Sequence, residues 1–287
     1  MNTTPARLRA VAVLVLVVGV AAVFALPEVL SIPVTPAAAA TPAASTDGSR
    51  TLGEVVRLDP RLDSLVPPNA VIEVLDDGFR WSEGPAWDRA HRRVLFSDIP
   101  NNTVHSWSED KGLEVFLKPS GYTGEAPYGG KEPGSNGLAF DPQGRLVLCQ
   151  HGDRRVARLE GWTSPTSFET LADRFDGKRF NSPNDLVFAS DGSLYFTDPT
   201  YGRPKTFDDP GRELDWCGVY RLAPDGSVSL IVEDLKAPNG IGLSPDGRTL
   251  YVNQSRPEAA HLMAYPVQPD GSVAEGRVLF DMTPMVG

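Results

Sequence analysis

Asn136-Gly-Leu-Ala-Phe-Asp-Pro-Gln-Gly144 decides the fold, because the chain repeats it twice with small changes, as Asn184-Asp-Leu-Val-Phe-Ala-Ser-Asp-Gly192 and Asn239-Gly-Ile-Gly-Leu-Ser-Pro-Asp-Gly247. The leading asparagines lie 48 and 55 residues apart, a period that points to propeller blades or another repeat array. A looser fourth copy stands at Glu83-Gly-Pro-Ala-Trp-Asp88, with a carboxylate in place of the amide. One Glu and three Asn therefore share one repeat position.

Each repeat reads as four short strands. In the third they are Leu186 to Ala189, Ser193 to Thr197, Val219 to Leu222 and Val228 to Val232, joined by Ser-Asp-Gly, a long insert and Pro-Asp-Gly. The second repeat follows the same plan at Gly137 to Phe140, Arg145 to Cys149, Arg155 to Leu159 and Phe168 to Leu171. Strands rich in β-branched and aromatic residues, with no helical period, predict an all-β propeller. In such a blade the innermost strand starts at the axis and the second returns antiparallel, so both ends share one mouth. The inner starts bring Glu83, Asn136, Asn184 and Asn239 there; the ends of the second strands bring Asp98, His151, Asp198 and Asn253. Two long connections, Gly121 to Ser135 and Pro199 to Trp216, open on the same side and read as lids or binding loops.

Outside the repeats the sequence sets bounds. Arg7 and Arg9 precede an apolar run from Ala10 to Leu26 and a Pro/Ala/Thr tract, so residues 1–45 read as an export signal or a retained membrane anchor followed by a tether. The protein is then periplasmic or secreted, and touches a membrane only if that segment is kept. Residues 46–287 form the propeller domain. A formal net charge of -10 and the lack of a basic cluster after Arg9 exclude nucleic acid as a partner. Cys149 and Cys217 are compatible with a disulfide or with two separate thiols.

A ring of carboxylate and amide oxygens suits a hard divalent cation, Ca²⁺ above all, which takes many oxygens in irregular geometry. Zinc would want His and Cys, and of the four histidines only His151 maps to the mouth. The plainer alternative is that Asn-Gly and Asn-Asp recur because every blade needs the same turn, but Glu83 is no turn-former and keeps the frame. Asp88, Asp98 and Asp198 each also read as strand-end caps, and His151 either as a base beside a cation or as a support for the Arg154 loop. The tryptophans read as packing, Trp216 on the lid excepted.

Trp81-Ser-Glu-Gly-Pro-Ala-Trp87, Leu95-Phe-Ser-Asp-Ile-Pro100, Arg179-Phe-Asn-Ser-Pro-Asn-Asp185, Tyr195-Phe-Thr-Asp-Pro199 and Pro238-Asn-Gly240 resemble the gluconolactonase/regucalcin (senescence-marker protein) family of six-bladed propellers. The resemblance runs from about Leu65 to the last residue. It implies a metal-dependent hydrolase of a sugar lactone, with Glu83, Asn184 and Asn239 as metal ligands and Asn136 lining the pocket. His151 and Asp198 are the candidate catalytic side chains, and Tyr201 on the long insert joins Asn136 as a candidate substrate contact. The family's further aspartate ligand, also its proposed base, has no match, so the chain reads as about four blades plus a closing strand, Val71 to Leu75, and as C-terminally incomplete. The competing expectations are a phosphotriesterase or promiscuous esterase on this scaffold, and a non-catalytic binding propeller.

Overall fold

The computed structural model describes residues 43–44, 50–57, 59–161 and 167–286. The apolar N-terminal run, most of the tether and Trp162 lie outside them. Among the described residues no helix is long and apolar enough to cross a membrane. Two compact units divide at Gly78 and Phe79.

The first unit holds a small antiparallel sheet of β1 (Ala43–Ala44), β2 (Arg50–Thr51) and β3 (Glu73–Val74). A 3₁₀ turn, Pro60–Ser64, is capped by Asp59, whose carboxylate accepts from the Arg61 amide. The strand expected at Val71 to Leu75 is therefore only two residues long. It is not spare within its own unit: Thr51 pairs with Glu73 and Arg50 with Val74, a partner that no periodicity in the sequence announces.

The second unit is a series of four antiparallel four-stranded sheets. The first comprises β4 (Ser82–Asp88), β5 (Arg93–Asp98), β6 (Thr103–Ser108) and β7 (Gly112–Leu117). The second comprises β8 (Ser135–Phe140), β9 (Leu146–Gln150), β10 (Arg155–Leu159) and β11 (Phe168–Ala172). A short hairpin follows, β12 (Arg174–Phe175) and β13 (Lys178–Arg179). The third sheet is β14 (Leu186–Phe188), β15 (Leu194–Asp198), β16 (Gly218–Leu222) and β17 (Val228–Val232). The fourth is β18 (Pro238–Leu243), β19 (Thr249–Gln254), β20 (His261–Pro266) and β21 (Arg277–Asp281). Each is hydrogen-bonded in sequence order, the meander of a propeller blade. The strands expected in the second and third repeats are found within a residue or two of their predicted ends.

Apolar burial holds the sheets to one another face to face. Leu95 and Val104 meet Leu138 and Leu148 between the first two; Val147 and Val156 meet Phe196 and Tyr220 between the second and third; Tyr195 and Val219 meet Leu250 and Val252 between the third and fourth. The innermost strands pack in series, β4 on β8, β8 on β14 and β14 on β18, and among the described residues no packing of like extent joins β18 back to β4. Cys149 and Cys217 are both buried and unbonded, the two-thiol alternative.

Candidate functional site at the mouth

The inner strands converge so closely at their first residues that side chains are excluded. Gly84 has φ +57, and a Cβ there would lie 2.1 Å from the Asn136 carbonyl oxygen. A Cβ on Gly137 would lie 2.7 Å from both the Asn184 carbonyl oxygen and the Asp185 Cα, and the Gly137 amide donates to that carbonyl at 2.6 Å. Hydroxyls close the remaining gaps. Ser97 Oγ donates to the Asn136 carbonyl at 2.8 Å and Thr197 Oγ1 to the Asn239 carbonyl at 2.6 Å, each reaching the next sheet. Pairing slips just after Glu83, Ser135 and Pro238, bulges that leave Asn136 and Asn239 out of the ladder while Glu83 still pairs with Ser97. Glu83, Asn136, Asn184 and Asn239 thus stand at the same end of adjoining inner strands.

Charge gathers there without compensation. Burial pushes the Glu83 carboxyl up to about 7, and the carboxylates of Asp185 and Glu132 push it the same way against hydrogen bonds from Trp81 Nε1 and the Gly84 amide. Asp185 is held up at about 6 by burial, although its oxygens accept from the Leu186 and Ile241 amides at 2.9 and 3.0 Å. The Asn253 Oδ1 atom is buried with no hydrogen-bond partner, and the Cβ-less Gly240 lies against it. Buried carboxylates and an orphan acceptor form an environment that a cation would relieve. Among the described residues no three His, Cys, Asp or Glu side chains gather as a metal cluster.

The ends of the second strands do the same job four times. Asp98 accepts from the Arg80 and Trp81 amides, both at 3.3 Å; Asp198 accepts from the Asn181 and Ser182 amides at 2.8 and 2.7 Å. Gln254 accepts from the Lys236 amide at 2.6 Å, and Gln150 donates to the Ser120 carbonyl at 2.8 Å. The true equivalents are therefore Asp98, Gln150, Asp198 and Gln254, each stapling the segment before its inner strand. His151 lies one residue beyond the position the repeat assigns it, and Asn253 one before. Burial raises Asp198 to about 7 against the pull of the Asn181 and Ser182 amides. Asp88 similarly holds the His91 amide and Arg93.

His151 is fully buried and stands among the ring residues: Nε2 is 3.4 Å from Asn184 Nδ2 and Nδ1 is 3.2 Å from Glu132 Oε2. Tyr201 shares a hydrogen bond of 2.6 Å with Ser255 Oγ and lies under the field of Glu132, on the rim. Both long loops are pinned. Asn102 Oδ1 accepts from the Gly121 amide at 2.7 Å, and the Tyr128 hydroxyl donates to the Gly202 carbonyl across from one loop to the other. Trp216 donates to the Tyr220 hydroxyl at 3.0 Å, a packing role. Two acidic residues of the mouth escaped the repeat logic. Asp185 carries a signal in hindsight, an Asp in the slot that is Gly in the other three repeats; Glu132, inside an irregular loop, carries none.

Residues 81–287 match the SMP-30/Gluconolactonase/LRE-like region. A gluconolactonase of Zymomonas mobilis is 40% identical over 222 residues, 77% of this chain and 62% of the relative. A pentonolactonase of Haloferax volcanii is 27% identical over 198 residues, 68% of this chain and 57% of the relative. The chain thus spans about three fifths of the length of these two proteins. A solved gluconolactonase structure from Xanthomonas campestris superposes with a TM-score of 0.65 at 34% identity, covering 85% of this chain and 75% of that one.

Proposed function

Because the chain belongs to the SMP-30/gluconolactonase/LRE-like family, we propose that its mouth hydrolyses a lactone of a sugar acid. The observation that carries this reading is the half-buried Glu83 carboxyl, raised to about 7, beside Asp185 and Glu132 at the convergence of four inner strands. Perturbed carboxylates gathered in a cleft are a mark of functional sites. Glu83, Asn184 and Asn239 would hold a hard divalent cation, Ca²⁺ in our reading. Such an ion supplies polarisation of the lactone carbonyl and a water of lowered pKa. In the same proposal the four blades belong to a six-bladed ring.

The remaining roles fall to the chain's own groups. The side-chain amide of Asn136 has no hydrogen bond within the described protein and is available to ring hydroxyls, and the Tyr201 hydroxyl, which shares a hydrogen bond with Ser255 Oγ, stands on the rim as a second substrate contact. The loops around residues 121–135 and 199–217 exclude bulk water, which strengthens every polar contact beneath them. Of the two candidate catalytic residues, His151 reaches the ring, whereas both oxygens of Asp198 are taken by backbone amides. In this proposal His151 stands beside Asn184 and supports that ligand, and Asp198 shapes the wall.

Calorimetric titration with Ca²⁺, followed by hydrolysis assays on glucono- and pentonolactones, tests the proposal. Glu83→Gln should weaken Ca²⁺ binding and lower turnover together, each roughly tenfold or more, since affinity follows ligand charge. Unchanged affinity would remove Glu83 from the ligand set. Binding without turnover on any lactone would favour a binding module, and turnover of aryl or phosphate esters alone would favour an esterase.

A further inference from the structure

We propose that Glu132 is a positioning residue: acting through His151, it sets the Asn184 amide with its oxygen toward the axis. The inference rests on the reading of Asn184 as a cation ligand and adds a device that controls it. Asn184 Nδ2, a donor only, stands 3.4 Å from His151 Nε2. Nε2 must then present its lone pair, so the single proton of the neutral ring sits on Nδ1. That nitrogen lies 3.2 Å from the Glu132 carboxylate, an acceptor only. The opposite tautomer would set N–H against N–H at one end and lone pair against carboxylate at the other.

Nothing else competes for the imidazole. Nδ1 is buried with no aligned hydrogen bond among the described residues, and the Glu132 carboxylate 3.2 Å away is the acceptor beside it. The Gly202 backbone packs against the base of the imidazole, where a Cβ would lie 2.5 Å from His151 Cβ and 2.8 Å from Cγ. Glu132 is carried on the loop before β8, where the Gly134 amide donates to the Ile99 carbonyl and the Ser135 amide to Ser120 Oγ, both at 3.0 Å. In this proposal the neighbouring carboxylate selects the tautomer, the tautomer selects the face of the amide, and the amide oxygen is left for the axis. Partners one step behind a ligand commonly change metal affinity by about 10–100-fold.

Nitrogen-15 NMR of the histidine rings tests this in the metal-free chain, whose four histidines give a readable spectrum. His151 should show the Nδ1–H tautomer, and Glu132→Ala should shift it toward Nε2–H. The same variant should weaken Ca²⁺ binding in calorimetry by about tenfold, the low end of the range because Glu132 acts through His151, with Glu132→Gln intermediate because an amide can pair with either tautomer. An Nε2–H tautomer in the unsubstituted chain overturns the proposal without any variant. So does a tautomer that ignores Glu132→Ala and Glu132→Gln, even if Ca²⁺ binds. A tautomer that follows Glu132 in a chain that binds no Ca²⁺ would sink the cation reading and leave the hydrogen-bond chain standing.

Discussion

The two ends of the same strands treat acidic side chains in opposite ways. At the turn end, Asp225, Asp246 and Asp270 accept from a serine hydroxyl and a backbone amide within the turn, and those hydrogen bonds hold each carboxyl below the usual range. They stay ionised and in water. At the mouth, burial dominates and raises Glu83 and Asp185, although each also receives hydrogen bonds. The turn end is solved locally, four or five residues at a time. At the mouth Glu83 of the first sheet, Glu132 of the loop before the second and Asp185 at the start of the third are brought together from distant parts of the chain.

The largest expected contrast lies in two glycines with nearly the same backbone. Gly84 and Gly247 have φ +57 and +69, but a Cβ on Gly247 meets nothing within 4 Å whereas one on Gly84 meets the Asn136 carbonyl oxygen at 2.1 Å. Gly247→Ala should cost about 1–2 kcal/mol, the left-handed penalty alone. Gly84→Ala should cost about 4 kcal/mol, because it must also push a pair of inner strands apart. Chemical denaturation of both variants gives the comparison; equal losses would mean that the inner strands do not meet as described.

The same contrast explains what the sequence made legible. Turn chemistry is local, so Ser190-Asp-Gly192 and Pro224-Asp-Gly226 placed the hairpins of the third sheet within a residue or two. The repeat also placed Glu83, Asn136, Asn184 and Asn239 at one end. It failed where a single-residue offset matters: it assigned His151 and Asn253 to positions that Gln150 and Gln254 hold as partners of Ser135 and Pro238, because the hydrophobic pattern does not fix the last residue of a strand. Glu132 was invisible because its place depends on the path of an irregular loop, which no period encodes. The family was legible because its motifs sit on those repeated turns and strand ends.

Asp198→Asn should give the next largest effect. Both carboxylate oxygens accept from buried amides, and an asparagine would turn an NH₂ group toward one of them, at a cost of about 1–3 kcal/mol. A stapling role predicts that stability falls while Ca²⁺ affinity holds; loss of turnover at full stability would return Asp198 to the chemistry. The pH dependence adds a sign. Its folded value of about 7 lies above the ordinary 3.8, so the folded state binds the extra proton and this group's contribution is present below 3.8 and lost as pH rises through 7. Acidification from pH 8 to 5 should therefore stabilise the unsubstituted chain more than Asp198→Asn, read as the difference between their melting temperatures.

The smallest effect belongs to the turn end, and its sign is reversed. Asp246 accepts from Ser244 Oγ at 2.6 Å and from the Arg248 amide at 3.0 Å, and those bonds favour its ionised form. Its folded value is depressed, so its contribution is present above 3.8 and lost as pH falls through the folded value. Asp246→Ala should lower the melting temperature slightly and by the same amount from pH 8 to 5, with the difference shrinking only below pH 3.8. Calcium affinity and turnover should not move, since the turn faces away from the mouth. If Asp246→Ala instead altered activity, or tracked pH between 5 and 8 as Asp198 is expected to, the division of the blade into a self-sufficient turn end and a dependent mouth would fail.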